Sequence, residues 1–296
     1  LARAAAARRE QQGERDRLAQ GETPVDKERE PERLTQLAQA QRRVDEETRR
    51  TEELAKRLQA LRAPRAAAVR AGIGWWGKNT MVLAPDVGPW MLLGSVVTDA
   101  PLELDKPMVR TCGTCSACIP ACPTGALDTV GVLDASRCLA AILQRPGVIP
   151  RGLRPAVGDR LYGCDDCLDV CPPGTRRLGG GVENGRHDIV ALLGLDDATL
   201  LRKFDHFYVP KRRARVLRRN ALVALGNVGD LDDVPLLAGF LGHPMELLRL
   251  HAAWALGRIG GDLAVAALEM ARSTERATTV GDEISLALID ARVGLQ

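Results

Sequence analysis

Apolar and polar positions follow three different rhythms along the chain. Over residues 1–64 arginine and glutamate alternate, as in Glu46-Glu47-Thr48-Arg49-Arg50 followed by Glu52, Glu53, Lys56 and Arg57. Leu34, Leu37, Leu54, Leu58 and Leu61 add only a thin apolar stripe, too sparse for a core. Opposite charges three or four apart support a lone helix by about 0.2–0.5 kcal/mol per pair. This stretch is expected to be a solvated helical or disordered arm, with a coiled-coil docking helix as the alternative.

From Ala71 the rhythm changes. Gly72-Ile73-Gly74-Trp75-Trp76-Gly77-Lys78-Asn79-Thr80 is glycine-rich and turn-forming. Two short apolar runs after it, Met81–Leu83 and Trp90–Val97, predict strands joined by a loop containing Pro85, Gly88 and Pro89. Trp75 and Trp76 are adjacent on an extended segment, so one is expected to point inward and the other outward. Beyond Asp196 the spacing is helical and repeats itself. Arg218–Gly229 and Arg249–Gly260 carry alanine and leucine at matching positions, 31 residues apart, before a glycine able to end a helix. Such a pair resembles a short HEAT-like helical array, which is expected to pack on the preceding domain because so few repeats make a poor free-standing solenoid.

Composition adds little to this until the cysteines. The chain has 296 residues, 45% of them apolar, 3% aromatic and with a net charge of +3, too small by itself to argue for nucleic acid. No aromatic residue precedes Trp75, which sets the arm apart from the rest. No run of 18 apolar residues predicts a membrane span, and the arm lacks the apolar core of a signal peptide, so a cytoplasmic location is expected. The first residue is Leu rather than Met, from which a fragment or displaced gene start is expected.

All eight cysteines lie between 112 and 171. Cys112-x2-Cys115-x2-Cys118-x3-Cys122-Pro123 has the bacterial ferredoxin spacing, in which three thiolates wrap one corner of an iron–sulfur cube and the fourth reaches the other cluster. Cys138 and Cys164-x2-Cys167-x3-Cys171-Pro172 form a variant second set. Applying the crossover twice assigns Cys112, Cys115, Cys118 and Cys171 to one cluster and Cys122, Cys138, Cys164 and Cys167 to another. Two [4Fe–4S] clusters are expected, with [3Fe–4S] at one site still open. Disulfides do not suit the expected cytoplasmic compartment of a chain with no secretion signal. Zinc takes Cys-x2-Cys pairs, but two zinc tetrahedra have no need of Cys-x3-Cys-Pro twice. Paired clusters predict single-electron transfer to a redox site.

Taken together, Gly72–Thr80, Gly94-Ser95-Val96-Val97-Thr98, the run from Cys112 to Leu127, and Tyr162-Gly163-Cys164-Asp165-Asp166-Cys167 with Cys171-Pro172 resemble the epoxyqueuosine reductase family, in that order, from about Arg65 onward. The resemblance implies an oxidoreductase of tRNA queuosine biosynthesis. Such an enzyme reduces the epoxide of epoxyqueuosine at the wobble position, with electrons relayed through two [4Fe–4S] clusters to cobalamin and an acidic residue protonating the opening ring. It implies tRNA and an unidentified electron donor as partners, and no membrane. The family's Asp upstream of the glycine-rich segment has no match here, since residues 61–70 contain no carboxylate. The resemblance therefore assigns no catalytic acid, and most of the corrin-binding half is expected to be missing or replaced.

The resulting expectation is an α+β chain. Residues 1–64 form the arm, 65–110 a remnant of the cobalamin-binding catalytic domain, 111–178 a ferredoxin-like double-cluster domain, and 190–296 a HEAT-like region. An electron-transfer adaptor, with neither corrin nor tRNA chemistry, is the competing function. By resemblance Lys78 and Asn79 face the cofactor cleft; the alternative is a turn whose Asn satisfies backbone groups. Arg202–Arg219 packs eight cations into eighteen residues. Within it Lys211, Arg212, Arg213, Arg215, Arg218 and Arg219 are candidates for tRNA phosphates, and Arg212, Arg215, Arg218 and Arg219 can share a helix side. Phe204, Phe207 and Tyr208 are expected to pack rather than stack on bases, and His187, His206, His243 and His251 to be structural.

Overall fold

The computed structural model describes residues 35, 37–49, 64–96, 98, 100–175 and 189–293. It divides into two units, Leu1–Pro64 and Arg65–Gln296. In the first unit, residues 37–49 are helical and mostly exposed, with Gln41 donating to Asp45 one turn on. Residues 1–34, 36 and 50–63 of the predicted arm, the Gly179–Gly181 linker and His187 lie outside the described residues.

Helix α1, Pro64–Arg70, leads into the second unit and is followed by a turn at Gly72. At φ +69° Gly72 turns the chain, and a Cβ there would stand 2.5 Å from the Lys106 carbonyl oxygen. Only glycine allows both. Strands β1, Trp75–Trp76, and β2, Val82–Leu83, follow as an antiparallel pair in the register Trp75 to Leu83 and Trp76 to Val82. Alternation sends Trp75 inward, 6% exposed, and Trp76 outward, 48% exposed.

This ladder, with an isolated antiparallel bridge between Ala84 and Gly88, makes up the β part of the described α+β fold. The expected strand over Trp90–Val97 does not form: residues 90–96 are irregular, with Leu92 and Val96 exposed. Its apolar run satisfied one requirement of a strand, but no neighbour among the described residues supplies the ladder its backbone would need.

The cysteine region is built of short helices: α2 (Cys118–Ala121), α3 (Leu139–Gln144), α4 (Arg154–Val157), α5 (Asp166–Asp169) and α6 (Pro172–Thr175). Ligand spacings of two and three residues, interrupted by proline, leave no room for longer ones.

Beyond it come α7 (Ile189–Leu193), α8 (Asp197–Lys203), α9 (Ala214–Val228), α10 (Val234–Phe240), α11 (Glu246–Ile259), α12 (Asp262–Thr274) and α13 (Thr278–Val293). The Asp196 side chain caps α8, and an Asp230–Asp233 capping box opens the turn before α10. Helices α9, α11 and α13 stack successively and bury alanine and leucine against one another. Their core is continuous with Leu139, Ile142, Leu143, Ile149 and Val157 of the cysteine region. The helical array thus packs on the preceding module, as its low repeat number required. Among the described residues, no helix is long and apolar enough to cross a membrane.

Candidate functional site

The turn between β1 and β2 clasps both cysteine loops. Lys78 Nζ donates to the Gly113 carbonyl at 3.0 Å, beside Cys112. Asn79 is buried: its Nδ2 donates to the Cys167 carbonyl at 3.3 Å, and its Oδ1 accepts from the Met81 N–H at 3.2 Å. Both ends of the Asn79 amide are thus used on backbone groups, as in the alternative of a turn whose Asn satisfies them. Lys78 and Asn79 also line a small cavity with Cys112, Cys115, Cys118 and Cys171. Four thiols from two distant stretches therefore surround one space.

Burial is the largest influence on the enclosed thiols. Burial pushes the Cys167 thiol up to about 12, and neighbouring Cys164, Cys122 and Cys138 push in the same direction, with Cys118 a lesser contributor. Cys171 is raised to about 11 by burial and then by Cys112, Cys118 and Cys115. Burial likewise raises Cys164 to about 11. Cys122 differs: burial raises its pKa, but N–H groups of Thr124, Ala126 and Leu127 and the Thr124 hydroxyl outweigh burial and lower it. The Ala126 N–H lies 3.2 Å from its sulfur.

Eight free thiols, four of them around one small cavity and Cys122 met by a backbone N–H, suit iron–sulfur ligation. Among the described residues no three His, Cys, Asp or Glu side chains converge closely enough to hold a single metal ion.

A second cavity, about 320 Å³, opens against Cys112, Cys115 and Cys171 and is walled by Trp75, Asp86 and Arg110. The Arg110 guanidinium stands 4.9 Å from the Trp75 ring centroid. Cys115 is the exposed thiol of the eight. Sequence reasoning missed Arg110, because nothing in its spacing links it to Trp75.

The basic segment divides in two. Arg218 and Arg219 are 9% and 1% exposed, so they do not form the expected phosphate-facing side. Arg218 donates to Leu193 and Leu195 carbonyls at the end of α7 and to Asp197. Arg219 donates to Ile142, Leu143, Arg145 and Gly147 carbonyls at the end of α3. Burial lowers its pKa to about 10, which leaves it charged at neutral pH. Helix ends expose unpaired carbonyls, and these two cations satisfy them. Arg212 precedes α9 rather than sharing its side. Lys211 and Arg212 remain exposed, with Arg213 and Arg215 partly so.

Phe204 is buried, and Phe207 stacks on Tyr162 with centroids 4.2 Å apart, so both pack as expected; Tyr208 is exposed. His251 is fully buried and bonded at both ring nitrogens.

Residues 111–174 match the 4Fe-4S double cluster binding domain, and residues 211–288 match HEAT repeats. Epoxyqueuosine reductase of Bacillus cereus is 36% identical over 237 residues, covering 76% of this chain and 61% of the relative. That of Pseudomonas aeruginosa is 38% identical over 244 residues, covering 72% and 65%. The matched part of this chain belongs to the epoxyqueuosine reductase family. A solved epoxyqueuosine reductase with an epoxyqueuosine-modified tRNA stem loop aligns at TM-score 0.70 and 33% identity, over 78% of this chain and 64% of that one. The Bacillus subtilis epoxyqueuosine reductase structure aligns at TM-score 0.69 and 34% identity, over 77% and 63%. The chain spans about 61% of the length of the Bacillus cereus epoxyqueuosine reductase it matches.

Proposed function

We propose that this chain is a tRNA-modifying oxidoreductase of the epoxyqueuosine reductase type, or the cluster-and-tRNA-binding part of one. The observation that carries the reading is its likeness to the stem-loop complex, across a region containing both cysteine sets and the helical array. A cytoplasmic setting goes with a tRNA substrate. When bound, two [4Fe–4S] clusters would pass single electrons from an unidentified donor, and a cobalamin would supply the centre that reduces the epoxide.

The chain's own residues have separate tasks in this reading. Cys112, Cys115, Cys118 and Cys171 hold one cluster, and Cys122, Cys138, Cys164 and Cys167 hold the other. The grouping of Cys112, Cys115, Cys118 and Cys171 around one small cavity supports that division. Lys78 and Asn79 keep the two loops together through their carbonyls. Lys211, Arg212, Arg213 and Arg215 hold tRNA phosphates without reading sequence.

The fit to cobalamin is partial. A cavity of about 320 Å³ is at the small end of the roughly 300–1,000 Å³ that drug-sized ligands occupy, and a corrin is larger. Trp75, Asp86 and Arg110 offer one wall of such a site. The same observation favours the electron-transfer adaptor as the second reading.

Anaerobic reconstitution with iron, sulfide and cobalamin separates the two. Mass spectrometry of an epoxyqueuosine-bearing stem loop should show reduction to queuosine, with a change in corrin absorbance. Fully reducible clusters with neither change would overturn the reductase reading and leave the adaptor.

A further inference from the structure

Arg160 and Asp166 form a two-pronged ion pair. One guanidinium nitrogen lies 2.7 and 2.8 Å from the two carboxylate oxygens, and the other donates to the Val157 carbonyl at 3.1 Å. Asp166 sits between Cys164 and Cys167 and begins α5. The carboxylate of the ion pair therefore lies on the same short loop as both thiols, two residues from Cys164 and one from Cys167. Asp159 is a further charge felt by Arg160. The two side chains are 29% and 26% exposed, so solvent screens their field only in part.

We propose that Arg160 is a positioning residue for the cluster ligated by Cys164. It anchors the Cys164–Cys167 loop through Asp166, and its charge raises that cluster's reduction potential. The inference rests on the reading of Cys122, Cys138, Cys164 and Cys167 as one ligand set. Reduction adds one electron to the cluster and transfers no proton or group. A fixed cation nearby stabilises the added negative charge, and a fixed carboxylate opposes it. Each single neutralisation breaks the same ion pair but changes the local charge in opposite directions. The sign of the effect therefore separates electrostatic tuning from mere support of the loop.

The test is a mediated redox titration of the whole chain, reconstituted with both clusters and followed by electron paramagnetic resonance. Dithionite serves as reductant, and Cys164→Ser identifies the signal of its own cluster. Arg160→Gln should move that cluster to a more negative potential and Asp166→Asn to a more positive one. Arg160→Lys should stay near the parent, and the other cluster should not move. Shifts of the same sign, equal shifts in both clusters, or no shift would overturn the proposal. So would loss of that cluster in both neutral variants with retention in Arg160→Lys, since the pair would then be scaffolding alone. A parent chain that failed to take up about eight irons would instead remove the double-cluster reading on which the proposal stands.

Discussion

Gly226 lies directly against Ala255: a Cβ at position 226 would stand 2.7 Å from the Ala255 Cα. The contact recurs one repeat later, where a Cβ on Gly257 would stand 2.7 Å from the Ala287 Cα. The stack of α9, α11 and α13 is therefore set at a separation that only a hydrogen at these positions permits.

Helix propensity alone would favour alanine over glycine at either position by about 1 kcal/mol. Contact opposes it, because the obstructing atom is backbone and cannot swing away. Gly226→Ala and Gly257→Ala are each expected to destabilise the fold by about 1–3 kcal/mol, the usual cost of overpacking. Gly239 in α10 has nothing within 4 Å of its would-be Cβ, so Gly239→Ala should be neutral or stabilising by up to about 1 kcal/mol. Urea denaturation of the three variants compares these signs directly.

His251 predicts how stability depends on pH. Its Nε2 accepts the Ile149 N–H at 3.2 Å, so the Nδ1 proton is donated to the Leu247 carbonyl and the ring is neutral. Burial, aided by the Arg154 charge, lowers its pKa to about 3. The unfolded chain takes up a proton near pH 6.5 that the folded ring refuses, so this contribution is present above that pH and is lost as pH falls below it. Between pH 7.5 and 5.5 the parent should lose about 1 kcal/mol more stability than His251→Gln. Equal losses in denaturant titrations would show that the ring titrates normally.

Separate iron losses test the division of ligands. Cys112→Ser and Cys171→Ser are expected to disturb one and the same cluster signal, despite their distance in sequence. Cys122→Ser and Cys167→Ser should disturb the other. Iron analysis together with electron paramagnetic resonance reads this out. If Cys171→Ser altered the signal that Cys164→Ser alters, the crossover would be wrong.

The cysteine set was legible because ligand number and spacing are dictated by the cluster rather than by the fold. The helical array was legible because alanine, leucine and glycine recur at the same offset wherever α9 and α11 make the same contact. Residues 90–96 misled for the opposite reason, since an apolar run becomes a strand only beside a partner. Lys78 and Asn79 pointed to a loop, but their acceptors, the Gly113 and Cys167 carbonyls, lie 35 and 88 residues away. Periodicity could place Arg218 and Arg219 near one another but could not say that open helix ends would meet them.

That last distinction yields a prediction about tRNA. Lys211, Arg213 and Arg215 are at least partly exposed, whereas Arg219 holds four carbonyls in the interior. Charge reversal at Lys211, Arg213 and Arg215 should weaken stem-loop binding and flatten its salt dependence, by roughly 0.7–0.9 in log–log slope per lost phosphate contact. Thermal stability should hardly change. Arg219→Ala should do the reverse: it strands buried carbonyls and costs on the order of 3 kcal/mol, while the salt slope of whatever protein stays folded is unaltered. Fluorescence anisotropy at several salt concentrations, paired with denaturation of each variant, measures both quantities. Unchanged slopes in the three surface variants would return Lys211, Arg213 and Arg215 to ordinary solvated cations.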